Sequence, residues 1–169
     1  MNIPMVDLKT QYHHVKNEID RAILDVVENT AFINGPAVKE FQTALEKYMD
    51  VKHVINCANG TDALQIAMMA LDLKPGDEVI TTSFTFVATV EVIALLQLTP
   101  VLVDALPGTY NIDPIALEKA ITPKTTAIMP VHCYGHPWDV DAIQKIADIY
   151  NLKVIYDAAH AFGVKILSF

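Results

Sequence analysis

Arginine is all but missing from this chain: Arg21 is the only one in 169 residues. The bidentate guanidinium clamp on carboxylate or phosphate is therefore nearly unavailable. Positive charge is scarce as well, with 12 Lys and Arg against 20 Asp and Glu and a formal net charge of -8. That balance argues against a nucleic-acid binder, because contacts along a phosphate backbone need a basic face. It leaves room for a small phosphorylated ligand held by backbone amides. Cysteine is sparse: Cys57 and Cys133 lie far apart in strand-like runs, which reads as two buried free thiols in a reducing compartment. The opening MNIPMVDLKT holds no apolar signal core. No apolar run approaches the roughly 18 residues of a membrane span. No like-charge block, low-complexity tract or internal repeat is visible. The expectation is a soluble, cytoplasmic protein with no nucleic-acid or membrane partner.

What is present is a chain 52% hydrophobic, long enough to bury a core as one domain or part of a larger one. Val15, Ile19, Ala22, Ile23, Val26 and Val27 recur at helical spacing. A break at Phe32-Ile33-Asn34-Gly35-Pro36 precedes a second helix carrying Val38, Phe41, Leu45 and Tyr48 on one face. From residue 53 the rhythm becomes strand, turn, helix, repeated. Strands are expected at His53–Cys57, Glu78–Thr82, Val101–Asp104, Thr125–Val131 and Lys153–Tyr156. Helices are expected at Thr61–Leu73, Val87–Leu98, from Asp113-Pro114 to Ile121, and from Asp139 to Tyr150. Short, uniformly apolar strands alternating with helices predict an α/β protein, a three-layer α-β-α arrangement with a mainly parallel sheet. Ligands of such sheets bind at the carboxyl ends of the strands.

The first of those ends reads Ala58-Asn59-Gly60-Thr61-Asp62, a small-residue turn feeding a helix. Its free amides, the Thr61 hydroxyl and the helix dipole suit a phosphate. The plainer alternative is a tight turn in which Thr61 merely caps the helix. The second end, Ser83-Phe84-Thr85-Phe86, offers two aromatics as a flat surface for a ring, although such residues are more often core. The last end, Tyr156-Asp157-Ala158-Ala159-His160, sets a carboxylate directly after an apolar strand. A charge there is unfavourable unless paired, either with a ligand's cation or with the amides of a following turn; His160 falls on the same side if that turn is helical. The loop His132-Cys133-Tyr134-Gly135-His136 lacks ligand spacing, and Gly135 and Pro137 argue against the helix that would align its histidines, so no metal is expected. Neither GxGxxG nor a P-loop is present, which disfavours a nicotinamide dehydrogenase.

In order along the chain, ANGTDAL (58–64), PGDEVI (75–80), FTFVAT (84–89), Asp104, ITPKT (121–125), PVHCYG (130–135) and YDAAHAFG (156–163) resemble the DegT family of nucleotide-sugar aminotransferases. VDLKTQY and FINGP are similar to that family's amino-terminal segment. The resemblance implies the aspartate-aminotransferase fold and pyridoxal 5′-phosphate (PLP) as cofactor. It implies an amino-terminal helical segment at 1–35 and, at 36–169, an incomplete PLP-binding large domain. It places Gly60 and Thr61 at the cofactor phosphate, Phe86 on the face of the pyridine ring, Asp157 at the protonated ring nitrogen, and His160 beside the ring or its phenolic oxygen. Asp157 and His160 would then be the catalytic residues of this part. A carboxylate at the ring nitrogen favours its protonated form, which makes the ring a better electron sink. The implied reaction moves an amino group from an amino acid, glutamate in the usual case, to a nucleotide-linked keto-sugar for cell-surface polysaccharide or amino-sugar synthesis, in a homodimer. One feature departs from the family. Its Schiff-base lysine lies well beyond the DAAHA segment, and Lys165 is too close to Asp157 to be that lysine. The expectation is an amino-terminal portion that is inactive alone. The alternative is a non-catalytic module that binds PLP or a partner subunit.

Overall fold

The computed structural model of the chain describes residues 3–137 and 139–165. The end of the Gly163–Phe169 stretch, residues 166–169, lies outside the described residues. Contacts divide the chain into two compact units, 1–56 and 57–169. Both helices of the first 56 residues fall in the first unit.

The first unit holds α1 (Leu8–Glu28) and α2 (Pro36–Met49). Asp7 caps α1 by accepting from the Thr10 amide at 3.0 Å. Pro36 occupies the first turn of α2, where its missing N–H has no partner to lose. Gly35 is obligatory at that break, because a Cβ there would stand 2.4 Å from the Ala31 carbonyl oxygen. The helical spacing is as expected, but neither helix buries a residue.

The second unit contains α3 (Gly60–Ala70), β1 (Glu78–Thr82), α4 (Val87–Leu95), β2 (Thr99–Val103), α5 (Pro114–Lys119), β3 (Thr125–Met129), α6 (Val140–Tyr150) and β4 (Lys153–Val154). The strands form one parallel sheet in the order β2-β1-β3-β4. Side chains alternate between its faces as the pleat requires. Val79, Ala127 and Met129 pack with Met68, Val92 and Ile93 of α3 and α4. Ile80, Val103 and Ile128 pack with Leu117 of α5 and with Ile143, Ile146 and Ala147 of α6. This is the expected three-layer α/β arrangement. Asp113 and Asp139 cap α5 and α6 by accepting from the amides of Ile115 (2.8 Å) and Ala142 (2.9 Å). No described helix is long and apolar enough to cross a membrane.

One expected strand is absent. Residues 53–57 have no regular structure, and Ile55 is 74% exposed. A strand exists only as half of a pair, and no described strand pairs with this segment. The run carries the apolar pattern without the neighbour that would make it a strand.

Candidate functional site

The strand order sets the site. From β1 the chain runs out to β2 on one side and then returns to β3 on the other. The gap between β1 and β3 is therefore the point where the winding reverses, the usual place for a ligand. A cleft of about 300 Å³ opens there. Ser83, Phe84, Thr85 and Phe86 line it from the end of β1, Val131, Cys133 and Tyr134 from the end of β3, and Asp157, Ala159 and His160 from beyond β4.

Asp157 is held from both its backbone and its side chain. Its amide donates to the Pro130 carbonyl and its carbonyl accepts from the His132 amide, each at 3.0 Å, so the parallel pairing continues past β4. The residue as a whole is 7% exposed. Oδ2 accepts from the Thr89 hydroxyl at 2.8 Å, and Oδ1 accepts from the Ala159 amide at 3.3 Å. Two oxygens offer about four acceptor positions, so capacity remains on the cleft side. Among the described residues the ion pairs are Lys16 with Asp20 and Lys74 with Asp72; neither involves Asp157. A nearly buried carboxylate with spare acceptors is suited to a positively charged N–H brought by a ligand.

Phe86 stands 72% exposed at the start of α4. Phe84 stacks on Tyr110 with ring centroids 5.1 Å apart, and Tyr134 meets both rings edge-on at 6.3 Å. The preference for reading Phe84 and Phe86 as core is thus overturned: the turn after β1 presents both outward. His160 is exposed, with its ring stacked on Tyr134 at 6.0 Å and 11° between planes. Gly135 allows the β3 loop to close on this turn, since its φ is +78° and a Cβ would lie 2.9 Å from the His160 carbonyl oxygen. Behind the cleft, burial lowers the His132 pKa below the usual histidine value, and the Asp157 charge partly opposes that shift. Burial pushes the Cys133 thiol and the Tyr156 phenol up.

Phe86, Asp157 and His160 therefore share one cleft. Gly60 and Thr61 stand apart from its lining, at the start of α3 in the same unit. Asn59, not Thr61, caps that helix, accepting from the Asp62 amide at 2.9 Å, while the Asp62 carboxylate turns back to the Asn59 amide group at 3.1 Å. The Thr61 hydroxyl is thus not spent on capping. A Cβ built on Gly60 would meet nothing within 4 Å, so the space before the leading amides of α3 is open. An open helix start, an exposed flat ring and a buried carboxylate with spare acceptors are groups of the kind that would hold the phosphate, face and ring nitrogen of PLP.

The residues that sequence reasoning missed are Thr85 and Thr89. Their hydroxyls lie 2.8 Å apart, and Thr89 is fully buried against Asp157. The available signal was a pair of threonines four apart at the start of a mostly apolar helix, since a buried hydroxyl needs a partner.

Known proteins resemble this chain in sequence and fold. Residues 13–167 match the DegT/DnrJ/EryC1/StrS aminotransferase family. The chain is 52% identical over 161 residues to the UDP-2-acetamido-2-deoxy-3-oxo-D-glucuronate aminotransferase of Pseudomonas aeruginosa, covering 95% of this chain and 45% of that protein. The chain also resembles the structure of S. venezuelae DesV, with a TM-score of 0.92 and 39% identity over 95% of this chain and 43% of that one. It also matches NtdA from Bacillus subtilis, solved with bound cofactor PMP (pyridoxamine phosphate), with a TM-score of 0.92 and 37% identity over 96% of this chain and 38% of that one. The chain thus spans less than half the length of these relatives. With the motifs in order, the winding reversal and the buried carboxylate all agreeing, the chain belongs to the DegT/DnrJ/EryC1/StrS aminotransferase family.

Proposed function

We propose that this chain supplies part of the cofactor site of a PLP-dependent aminotransferase. The enzyme moves an amino group from an amino acid, glutamate, to a nucleotide-linked keto-sugar in cell-surface polysaccharide or amino-sugar biosynthesis. The reading is supported by relatives named for such sugars, among them the UDP-linked oxo-glucuronate of the Pseudomonas protein. The observation that carries it is Asp157, a residue 7% exposed at the carboxyl end of the sheet whose carboxylate has acceptor capacity left toward the cleft.

The cofactor, when bound, supplies an electron sink that the side chains lack. This chain's residues bind and orient it. The α3 amides at Gly60 and Thr61 hold the phosphate, Phe86 covers one ring face, and Asp157 accepts from the ring nitrogen and keeps it protonated. His160, stacked on Tyr134, stands at the ring or its phenolic oxygen. Residues 36–169 belong to the PLP-binding large domain, and the working enzyme is a cytoplasmic homodimer. Lys165 does not serve as the covalent lysine, so residues 1–169 alone bind cofactor without turnover.

The test is borohydride reduction of residues 1–169 with PLP, followed by mass analysis, beside PMP binding to the same chain. Saturable PMP binding without a stoichiometric lysine adduct supports the reading. A specific adduct at Lys165 overturns the assignment of the lysine elsewhere. PMP binding that Asp157→Asn leaves unchanged overturns the site.

A further inference from the structure

Asp157 does not stand alone behind the cleft. Its Oδ2 accepts from the hydroxyl of Thr89, whose side chain is fully buried, at 2.8 Å. The Thr89 oxygen in turn lies 2.8 Å from the hydroxyl of Thr85, which lines the cleft. The direction of this chain follows from proton counting. An ionised carboxylate only accepts, and a threonine hydroxyl has one proton to give. Thr89 commits that proton to Asp157, so it accepts from Thr85. The two threonines are four apart across the start of α4 and face the same way. Hydroxyls linked in one direction strengthen one another.

We propose that Thr89, backed by Thr85, is a positioning residue that holds the Asp157 carboxylate aimed into the cleft, so that the proton it shares with the ring nitrogen stays on the ring. The proposal rests on the reading above, in which Asp157 pairs with the cofactor's ring nitrogen. A proton shared between that nitrogen and a buried carboxylate goes to whichever partner is the stronger base there. A donor fixed on Oδ2 stabilises the charged carboxylate and leaves the proton on the ring. Without that donor, less holds the proton on the ring nitrogen. Thr89 thereby sets the electron demand of a ring that it does not touch.

The experiment uses the complete protein loaded with PMP labelled with ¹⁵N at the ring nitrogen. PMP carries no covalent link to the protein, so a lysine does not enter the readout. The ¹⁵N chemical shift reports ring protonation directly, and PMP affinity is titrated alongside. In Thr89→Val the shape is kept and the hydroxyl lost. The signal is expected to move toward the unprotonated value, with PMP affinity down by roughly tenfold, the order of one hydrogen bond to a charged group. Thr89→Ser restores both. Thr85→Val, which leaves the bond to Asp157 but removes its backing, moves the signal part of the way. This half-buried site also answers the question if Thr89→Val does not fold. A Thr89→Val protein with wild-type signal and affinity, or a Thr89→Ser protein that restores neither, shows that Thr89 only packs. Asp157→Asn separates the two ideas. If it leaves the ring signal unchanged, the pairing falls and the role of Thr89 with it. If it shifts the signal while Thr89→Val does not, only the role of Thr89 falls.

Discussion

Phe86 lines the cleft and His132 lies behind it, and the two answer different questions. Phe86 is 72% exposed, so little of the folded chain leans on it. Phe86→Ala is expected to change stability by no more than about 0.5 kcal/mol, the usual range for an exposed position. It should nevertheless weaken PMP binding several-fold through loss of the ring face. Urea unfolding and a PMP titration on one preparation check both halves, and unchanged affinity would leave Phe86 without a cofactor role. His132 is held below the usual histidine pKa by burial, partly opposed by the Asp157 charge, and its ring stacks on Tyr156 at 6.1 Å. With the folded value depressed, the unfolded chain takes up the proton first. Stability from neutral His132 is therefore present above the unfolded value of about 6.5 and is lost as pH falls through the lower, folded value. Thermal melts from pH 7.5 downward should show stability falling, and His132→Asn should flatten that slope. A slope identical in the variant would assign the acid sensitivity to another group.

At the level of elements, local chemistry was legible wherever it was sufficient. Asp139 was readable as a cap, and it does accept from the Ala142 amide at 2.9 Å. Asp139→Ala should lower stability by about 1 kcal/mol, and Asp139→Asn by much less, since both Asp and Asn cap well. Urea midpoints compare the two, and equal losses would show that charge rather than capping matters there. The three strands β1, β2 and β3 were legible for a similar reason: Val79-Ile80 and Ala127-Ile128 are apolar on both faces because both faces are covered. Residues 53–57 have the same composition and no strand, because pairing is a property of the neighbour and not of the segment. The site divides along the same line. Phe86, Asp157 and His160 were legible from their place at strand ends, and they share the cleft. The Thr85–Thr89–Asp157 chain was not, because it joins residues 68 apart that only the folded sheet brings together. The exposure of Phe84 and Phe86 was illegible too, since an aromatic after a strand carries no mark of which way the turn will present it.

For the molecule as a whole, burial is unevenly shared between the two units. Among the described residues, every buried core side chain, from Met68 to Ala161, belongs to the second unit. In the first unit α1 and α2 bury none, although α1 carries Val15, Ile19, Ile23 and Val27 at the spacing of one face, each at least 40% exposed. Helices of 21 and 14 residues that bury no side chain are marginal in water, because propensity alone barely offsets the entropy of ordering the chain. The two units should therefore differ in local stability. In hydrogen exchange followed by mass spectrometry on residues 1–169, peptides from α1 and α2 are expected to exchange orders of magnitude faster than those from β1 and β3, whose amides open only with the whole sheet. Dilution gives the reading its edge. If α1 is protected at high concentration and loses protection on dilution, its apolar face is being covered by association, and Ile23→Glu should abolish that protection. If α1 is as protected as β3 at every concentration, the exposed face is not what governs its stability, and the division of the chain into a well-buried and a poorly buried unit fails as an account of its energetics.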